Sequence, residues 1–361
     1  MTFKMKILRI LPSLGIGGIE MWVRDFAIQA KKDGHHIAIA AGEGSLLPQL
    51  QEANVRWYNL PMDTKTPRVF LRSCKILATI IEKEEPDILH AESRFPCWVA
   101  YHTRKKFPDL PWVTSVHSYC PINPWTRSLI LGDRIITVSK ALAEFSVSRL
   151  GANPAKISVV YNGINPFLFT PQSLKEQKPP TIGIVGRLTP GKGHLFFLKA
   201  LSLLKKKGIS FQGIILGNGS ERRKRKITRI IHSLNLSEDV TLFSGPSEKY
   251  IPNLTILISA ATVPEGFGRT VAEAQMAEVP VIAASGGAIK ELVIHKKTGY
   301  LTTPGNFHEI AHWISHLLTY PEEAREIATR ARKYAYTRFS LDKTVSDTLA
   351  VYQQLIKKES Q

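Results

Sequence analysis

Short apolar runs alternate with helix-length segments along this chain; the alternation breaks once and then resumes. The first run, residues 6–11, ends in a stretch containing Gly15, Gly17 and Gly18. A helical pattern follows, with Met21, Val23, Phe26, Ala27 and Ala30 apolar, and stops at Asp33 and Gly34. Strands are expected again at 37–41, 88–90, 112–116 and 134–138, with helices at about 69–84 and 140–150. Strands separated by helices rather than by hairpin turns pair in parallel, with helices on both faces of the sheet.

Between 162 and 180, Asn162, Gly163, Pro166, Pro171, Pro179 and Pro180 break up a stretch with no amphipathic period, which reads as a linker. The alternation then restarts. Strands are expected at 182–185, 211–216, 240–243, 254–258 and 281–284, helices at 194–207, 220–234 and 269–277, and a helical end after 307. The expected fold class is α/β: two Rossmann-like doubly wound domains facing one another, with ligands in a cleft lined by loops at strand carboxyl ends. The domains are placed at residues 1–165 and 166–340, followed by a terminal helical segment, 341–361.

A length of 361 residues accommodates two such domains. Hydrophobic residues at 43% and charged residues at 22% exclude a disordered or collagen-like chain. No apolar run approaches the roughly 18–20 residues that span a bilayer. Lys4, Lys6 and Arg9 interrupt the first apolar stretch, which a secretory signal would keep free of charge. Cys74, Cys97 and Cys120 form no C-x-x-C pair and read as reduced thiols, so the expected compartment is the cytoplasm. The net charge of +18 is spread over both halves, +8 over residues 1–175 and +10 over the rest. That distribution suits attraction to an extended anionic surface, or plain solubility, better than a detached nucleic-acid arm. Five consecutive cations, Arg222 to Lys226, fall on an expected helix, where they circle the axis and read mainly as a solvated collar. Sequence-specific nucleic-acid recognition lacks a finger, an arm or an aromatic platform here.

Three motifs carry chemistry. Gly17 and Gly18 open the first helix, where glycines admit a ligand to the backbone and free N–H groups favour an anion. Glu20 stands where the dinucleotide fingerprint needs its third glycine, which argues against a nicotinamide dehydrogenase. Residues 186–193 nearly match a phosphate-binding loop, but Gly193 replaces the hydroxyl residue and Pro190 stiffens the turn. What survives is a pair of cations, Arg187 and Lys192, suited to a diphosphate. In residues 265–273, Gly266, Phe267 and Gly268 lie at the positive end of a helix, and Glu265 and Glu273 offer carboxylates to paired sugar or ribose hydroxyls.

His117 ends one strand and His90 another, the latter followed by Glu92 and Arg94; on spacing alone each histidine is more often a satisfied polar core residue than a site residue. Glu92 and Arg94 are acceptor-side candidates. No D-x-D occurs, so a carboxylate-held metal is not indicated, and no G-x-S-x-G or H-E-x-x-H points to hydrolase chemistry.

Taken in order, Gly17, Gly18 and Glu20; His117; Val138 and Ser139; Asn162, Gly163 and Ile164; Gly186, Arg187 and Lys192; Glu265 and Glu273; and Ser285, Gly286, Gly287 and Glu291 resemble the retaining glycosyltransferases of family four. The resemblance runs over nearly the whole chain and implies the two-domain GT-B fold, with the last helix crossing back to the first domain. It implies that Arg187 and Lys192 neutralise a donor diphosphate, Glu265 binds donor sugar hydroxyls and Glu273 the nucleotide ribose. The Gly266 to Gly268 amides would reach the sugar and phosphate, His117 would sit beside the sugar, and Gly17 and Gly18 would leave room for phosphate and acceptor. A nucleotide diphosphate sugar is then the co-substrate, with no cofactor or metal. Residues 90–98 and 264–270 look like the branch that builds lipopolysaccharide cores, which implies a lipid-linked acceptor and a place on the inner face of the cytoplasmic membrane. A soluble sugar acceptor, or a basic nucleotide- or nucleic-acid-binding protein without turnover, are the alternatives.

Overall fold

The computed structural model describes residues 4–62, 64–172 and 179–359. Residues 173–178 of the expected linker lie outside the described residues. The chain divides into two compact units: Met1–Gly163 together with Leu341–Gln361, and Ile164–Ser340. The division falls two residues before the one expected at 165, and the terminal segment belongs to the first unit.

In unit 1 the elements run β1 (Lys6–Ser13), α1 (Gly18–Lys32), β2 (His36–Gly42), α2 (Leu47–Glu52), β3 (Arg56–Asn59), α3 (Pro67–Glu84), β4 (Ile88–Glu92), α4 (Arg94–Arg104), β5 (Trp112–Val116), β6 (Arg134–Thr137), α5 (Lys140–Ser148) and β7 (Ile157–Val159). The strands form one parallel sheet in the order β3-β2-β1-β4-β5-β6-β7. Strands β4 and β5 are buried along their whole length, because helices cover both sheet faces. Thr66 starts α3 by accepting from the Val69 amide at 3.3 Å, and Pro67 follows at the first helical position.

Unit 2 runs β8 (Thr181–Val185), α6 (His194–Lys206), β9 (Gln212–Leu216), α7 (Glu221–Ser233), β10 (Val240–Phe243), β11 (Ile256–Ser259), α8 (Arg269–Met276), β12 (Val281–Ala284), α9 (Ile289–Leu292), β13 (Tyr300–Thr302), α10 (Phe307–Thr319) and α11 (Pro321–Phe339). Its sheet is also parallel, in the order β10-β9-β8-β11-β12-β13. Phe197, Leu201, Ile231, Ile256, Ile310 and Ile314 build its core, each side chain contributing about 1.5–3 kcal/mol by leaving water. The last helix, α12 (Leu341–Glu359), then joins unit 1. Its Val345, Leu349 and Tyr352 share a core with Trp22 and Phe26 of α1.

Strands β3, β7 and β13 and helices α2, α4 and α9 have no counterpart in the sequence reading. The strands are three or four residues long, too short to establish a period-two pattern, and α4 carries Pro96 within its first turn. In each sheet the chain reverses its direction of winding once, between β1 and β4 in unit 1 and between β8 and β11 in unit 2. Loops leaving the carboxyl ends of those four strands are where a doubly wound sheet places ligands.

Candidate active site

In unit 2 the loops after β8 and β11 meet. The β8 loop closes in a turn, Pro190–Lys192, and Gly193 begins α6 with φ at +75°. A Cβ at Gly193 would lie 1.7 Å from the Ala260 carbonyl oxygen, so only glycine lets this turn lie against the end of β11. The Thr262 amide donates to the Gly191 carbonyl at 2.9 Å, fastening the same contact. Lys192 Nζ thereby reaches Glu265, donating to Oε1 at 2.6 Å. Arg187 is exposed at the carboxyl end of β8. Glu265 is backed by the loop after β12: its backbone bridges Gly287, and its carbonyl accepts from the Ala288 amide at 3.0 Å.

Gly268, at φ +94°, starts α8. Gly266 and Phe267 are buried, and the Phe267 ring packs edge-on against Phe339 at 5.5 Å. The Phe267 side chain is therefore core, and what this residue has to offer a ligand is backbone. Glu273 lies one helix face further in, 2% exposed, and accepts from Arg269 Nε at 2.7 Å. Burial pushes its carboxyl up from the usual range, against the opposing pull of Arg269 and a hydrogen bond from Ser247.

In unit 1, Gly17 caps α1 and Gly18 is its first residue. Nothing stands within 4 Å of a Cβ built at Gly18, but one at Gly17 would lie 2.2 Å from Glu20 Oε2. The room that Gly17 leaves is taken by the chain's own carboxylate. His117 follows β5, and its Nε2 lies 2.5 Å from Glu92 Oε2. The other Glu92 oxygen is bound by Arg9 of β1, and both side chains of that pair are wholly buried. Burial opposes charge on Glu92, but His90, Arg9 and His117 together hold its carboxyl well below the ordinary range. His90, also buried, contacts Tyr352 Oη at 2.5 Å and Ser115 Oγ at 2.6 Å; burial holds its pKa down to about 3.

Glu92 was expected to face the acceptor; its side chain has no exposed surface, and its oxygens are taken by Arg9 and His117. It therefore bears on a ligand only through His117. Arg94 begins α4 and lines a cavity of about 290 Å³ with Lys65, Phe95, Asn123 and Trp125. Arg9 and Tyr352 were missed. Arg9 was legible as an arginine inside an apolar strand, whereas nothing in the sequence connects Tyr352 with His90, 262 residues away. Among the described residues no group of His, Cys, Asp and Glu is arranged to hold a metal ion, and no helix is long and apolar enough to cross a membrane.

Two parallel Rossmann-like sheets, each doubly wound, are the architecture of the GT-B glycosyltransferases. Glycosyltransferase Family 4 matches residues 16–166, and Glycosyl transferases group 1 matches residues 168–334. Between them the two models take in residues 16–334 apart from residue 167, the first half of the chain being similar to the family-4 type and the second to group 1. An uncharacterized glycosyltransferase of Methanocaldococcus jannaschii is 25% identical over 376 residues, covering 94% of each chain. The crystal structure of a glycosyltransferase from Rickettsia africae matches with a TM-score of 0.88 at 27% identity, over 98% of this chain and 99% of that one. Anabaena HepE, crystallised with UDP and glucose, shares the fold with a TM-score of 0.83 at 21% identity, over 97% and 100% of the two chains.

Proposed function

We propose that this glycosyltransferase moves a sugar from a nucleotide diphosphate sugar to a hydroxyl of a lipid-linked or lipopolysaccharide core acceptor, with retention at the anomeric carbon. The carrying observation is the junction of the β8 and β11 loops, where Lys192 and Glu265 stand 2.6 Å apart with Arg187 on the same loop as Lys192. As the sugar's C1–O bond breaks, negative charge grows on the departing diphosphate, and Arg187 and Lys192 stabilise it most when it is fully formed. Glu265 holds donor sugar hydroxyls, Glu273 the ribose, and the Gly266 to Gly268 backbone the sugar and phosphate. The acceptor oxygen attacks C1 from the face the diphosphate leaves, and its proton passes to a leaving phosphate oxygen. UDP and glucose on the same fold in HepE support a nucleotide diphosphate sugar as donor. We assign no metal or cofactor to the reaction.

Gly17 and Gly18 leave room for phosphate and acceptor, His117 stands beside the sugar, and Arg94 is the acceptor-side candidate. The charge of +18 fits peripheral attachment to the anionic inner face of the cytoplasmic membrane. A thermal shift panel of nucleotide diphosphate sugars tests the donor assignment, and the anomer of the product, read by NMR, tests retention. If no sugar nucleotide raises the melting temperature, the donor reading falls; an inverted anomer overturns the same-face step.

A further inference from the structure

Strands β1, β4 and β5 lie side by side in unit 1, and their register pairs Arg9 with His90 and Glu92 with Ser115. Side chains two residues apart on a strand share a sheet face, so Arg9, His90, Glu92 and Ser115 form one polar row in an otherwise apolar interior, and His117, its side chain 5% exposed, continues it just past the carboxyl end of β5. Each member is held from another element. The Arg9 guanidinium lies 4.3 Å over the Phe26 ring of α1, and His90 is held by Tyr352 of α12 and by Ser115. A buried charged pair of this kind is weak evidence for stability, because desolvation offsets most of the attraction. Its placement against a strand-end histidine calls for another role.

The geometry sets the hydrogen-bond sense. An ionised carboxylate only accepts, so His117 Nε2 carries the proton that faces Glu92, and in the neutral ring Nδ1 is left as an acceptor. His117 Nδ1 is buried and has no partner among the described residues.

We infer that Glu92, clamped by Arg9, is a positioning residue that fixes His117 in the Nε2–H form, so that Nδ1 accepts a hydroxyl of the reacting sugar. The inference rests on the proposed transferase reading for what His117 meets, and not for how His117 is held. Glu92→Gln loses the fixed acceptor, because an amide presents N–H as readily as oxygen. Arg9→Met with Glu92→Gln removes both buried charges together and keeps the volume filled, so a folded protein remains to be measured.

The test has two arms on the full-length protein. In the first, nitrogen-15 NMR of labelled histidine, with His117 assigned by its disappearance in His117→Gln, reads the tautomer without any substrate. Wild type is expected to show a protonated Nε2 and a bare Nδ1, and both Glu92→Gln and the double variant a mixture of tautomers. A protonated Nδ1 in wild type, or an unchanged tautomer in the variants, overturns the inference. In the second arm, kinetics with the sugar nucleotide that gives the largest thermal shift should show kcat lowered about 10- to 100-fold, with donor KM changed less than threefold. A loss confined to KM, or none in a folded variant, also overturns it. Should wild type turn over no donor, the proposed function fails while the first arm still reads whether Glu92 orients His117.

Discussion

Lys192 Nζ and Glu265 Oε1 stand 2.6 Å apart, although one side chain was expected to hold a phosphate and the other a sugar. They come from loops more than 70 residues apart in sequence, brought together because Gly193 lets its turn rest on the end of β11. With 31% and 17% of their side chains exposed, the two stay in contact with water, so the pair itself adds about 1 kcal/mol of stability. Its importance is to hold a cation and a carboxylate in fixed relation before a donor arrives.

Lys192→Ala and Glu265→Ala should each cost roughly 10²–10³ in turnover, as loss of one preorganised polar group does. Because the groups touch, the double variant should lose far less than the product of the two. Turnover of all four proteins checks this, and near-normal turnover in Lys192→Ala contradicts the phosphate role.

Glu273, eight residues on, behaves differently. It is 2% exposed and paired with Arg269, which is itself 11% exposed at its side chain. Glu273→Ala removes a buried carboxylate from beside Arg269 and should destabilise the fold by roughly 3 kcal/mol or more, whereas Glu265→Ala should cost about 1 kcal/mol or less. Urea midpoints at unchanged m-value separate the two, and equal losses would refute the distinction.

Gly193 and Gly208 both have positive φ, +75° and +74°, but nothing lies within 4 Å of a Cβ at Gly208. Gly208→Ala should cost only the left-handed penalty of about 1–2 kcal/mol. Gly193→Ala meets the Ala260 carbonyl and must displace the turn. Its expected loss is about 3 kcal/mol or more, along with weakened binding of a sugar nucleotide. Comparable stability losses would mean the turn can move freely.

Of the buried histidines, His90 and His194 are lowered furthest and weigh most on the response to acid. Burial lowers the pKa of His90 to about 3, and burial together with Lys192 lowers that of His194 to about 4, both from 6.5. The unfolded chain therefore takes up protons that the native state refuses once pH falls below about 6.5. Stability should drop from there with a slope approaching ~1.4 kcal/mol per pH unit for each histidine, His194 ceasing to contribute near pH 4 and His90 near pH 3. Chemical denaturation from pH 7.5 to 4.5 measures this, and His194→Gln should remove one of the slopes. A flat profile would show that both rings are charged in the native state.

Helix α7 carries Arg222, Arg223, Arg225, Lys226 and Arg229 exposed to solvent. Vesicles containing anionic lipid should bind the protein in a manner that falls with added salt, each cation on the side of the helix turned to the lipid contributing about 1 kcal/mol. Reversing Arg222 and Arg225 to Glu should weaken sedimentation with such vesicles. Equal binding to neutral vesicles would remove the membrane argument.

Much of the fold was legible because its signals are local. The apolar runs at 112–116, 240–243 and 281–284 became strands with those bounds, and the break near Asn162 lies beside the boundary between units. Glycine-rich turns, helix starts and the Glu265 to Glu273 spacing are also written in consecutive residues, and they led to the family. Other relations needed the sheet. Glu92 looked like a ligand-facing carboxylate until β1 and β5 flanked it with Arg9 and His117, and His90 found Tyr352 only when α12 returned to unit 1. Phe267 lay among glycines at a helix mouth, yet packing against Phe339 took its ring into the core. The sequence by itself determined the longer strands and helices and which loops carry charge, because backbone preference and hydrophobic period act over a few residues. Only the tertiary structure decided which of those charges stay exposed and which meet one another, because burial and hydrogen bonding depend on neighbours up to 262 residues away.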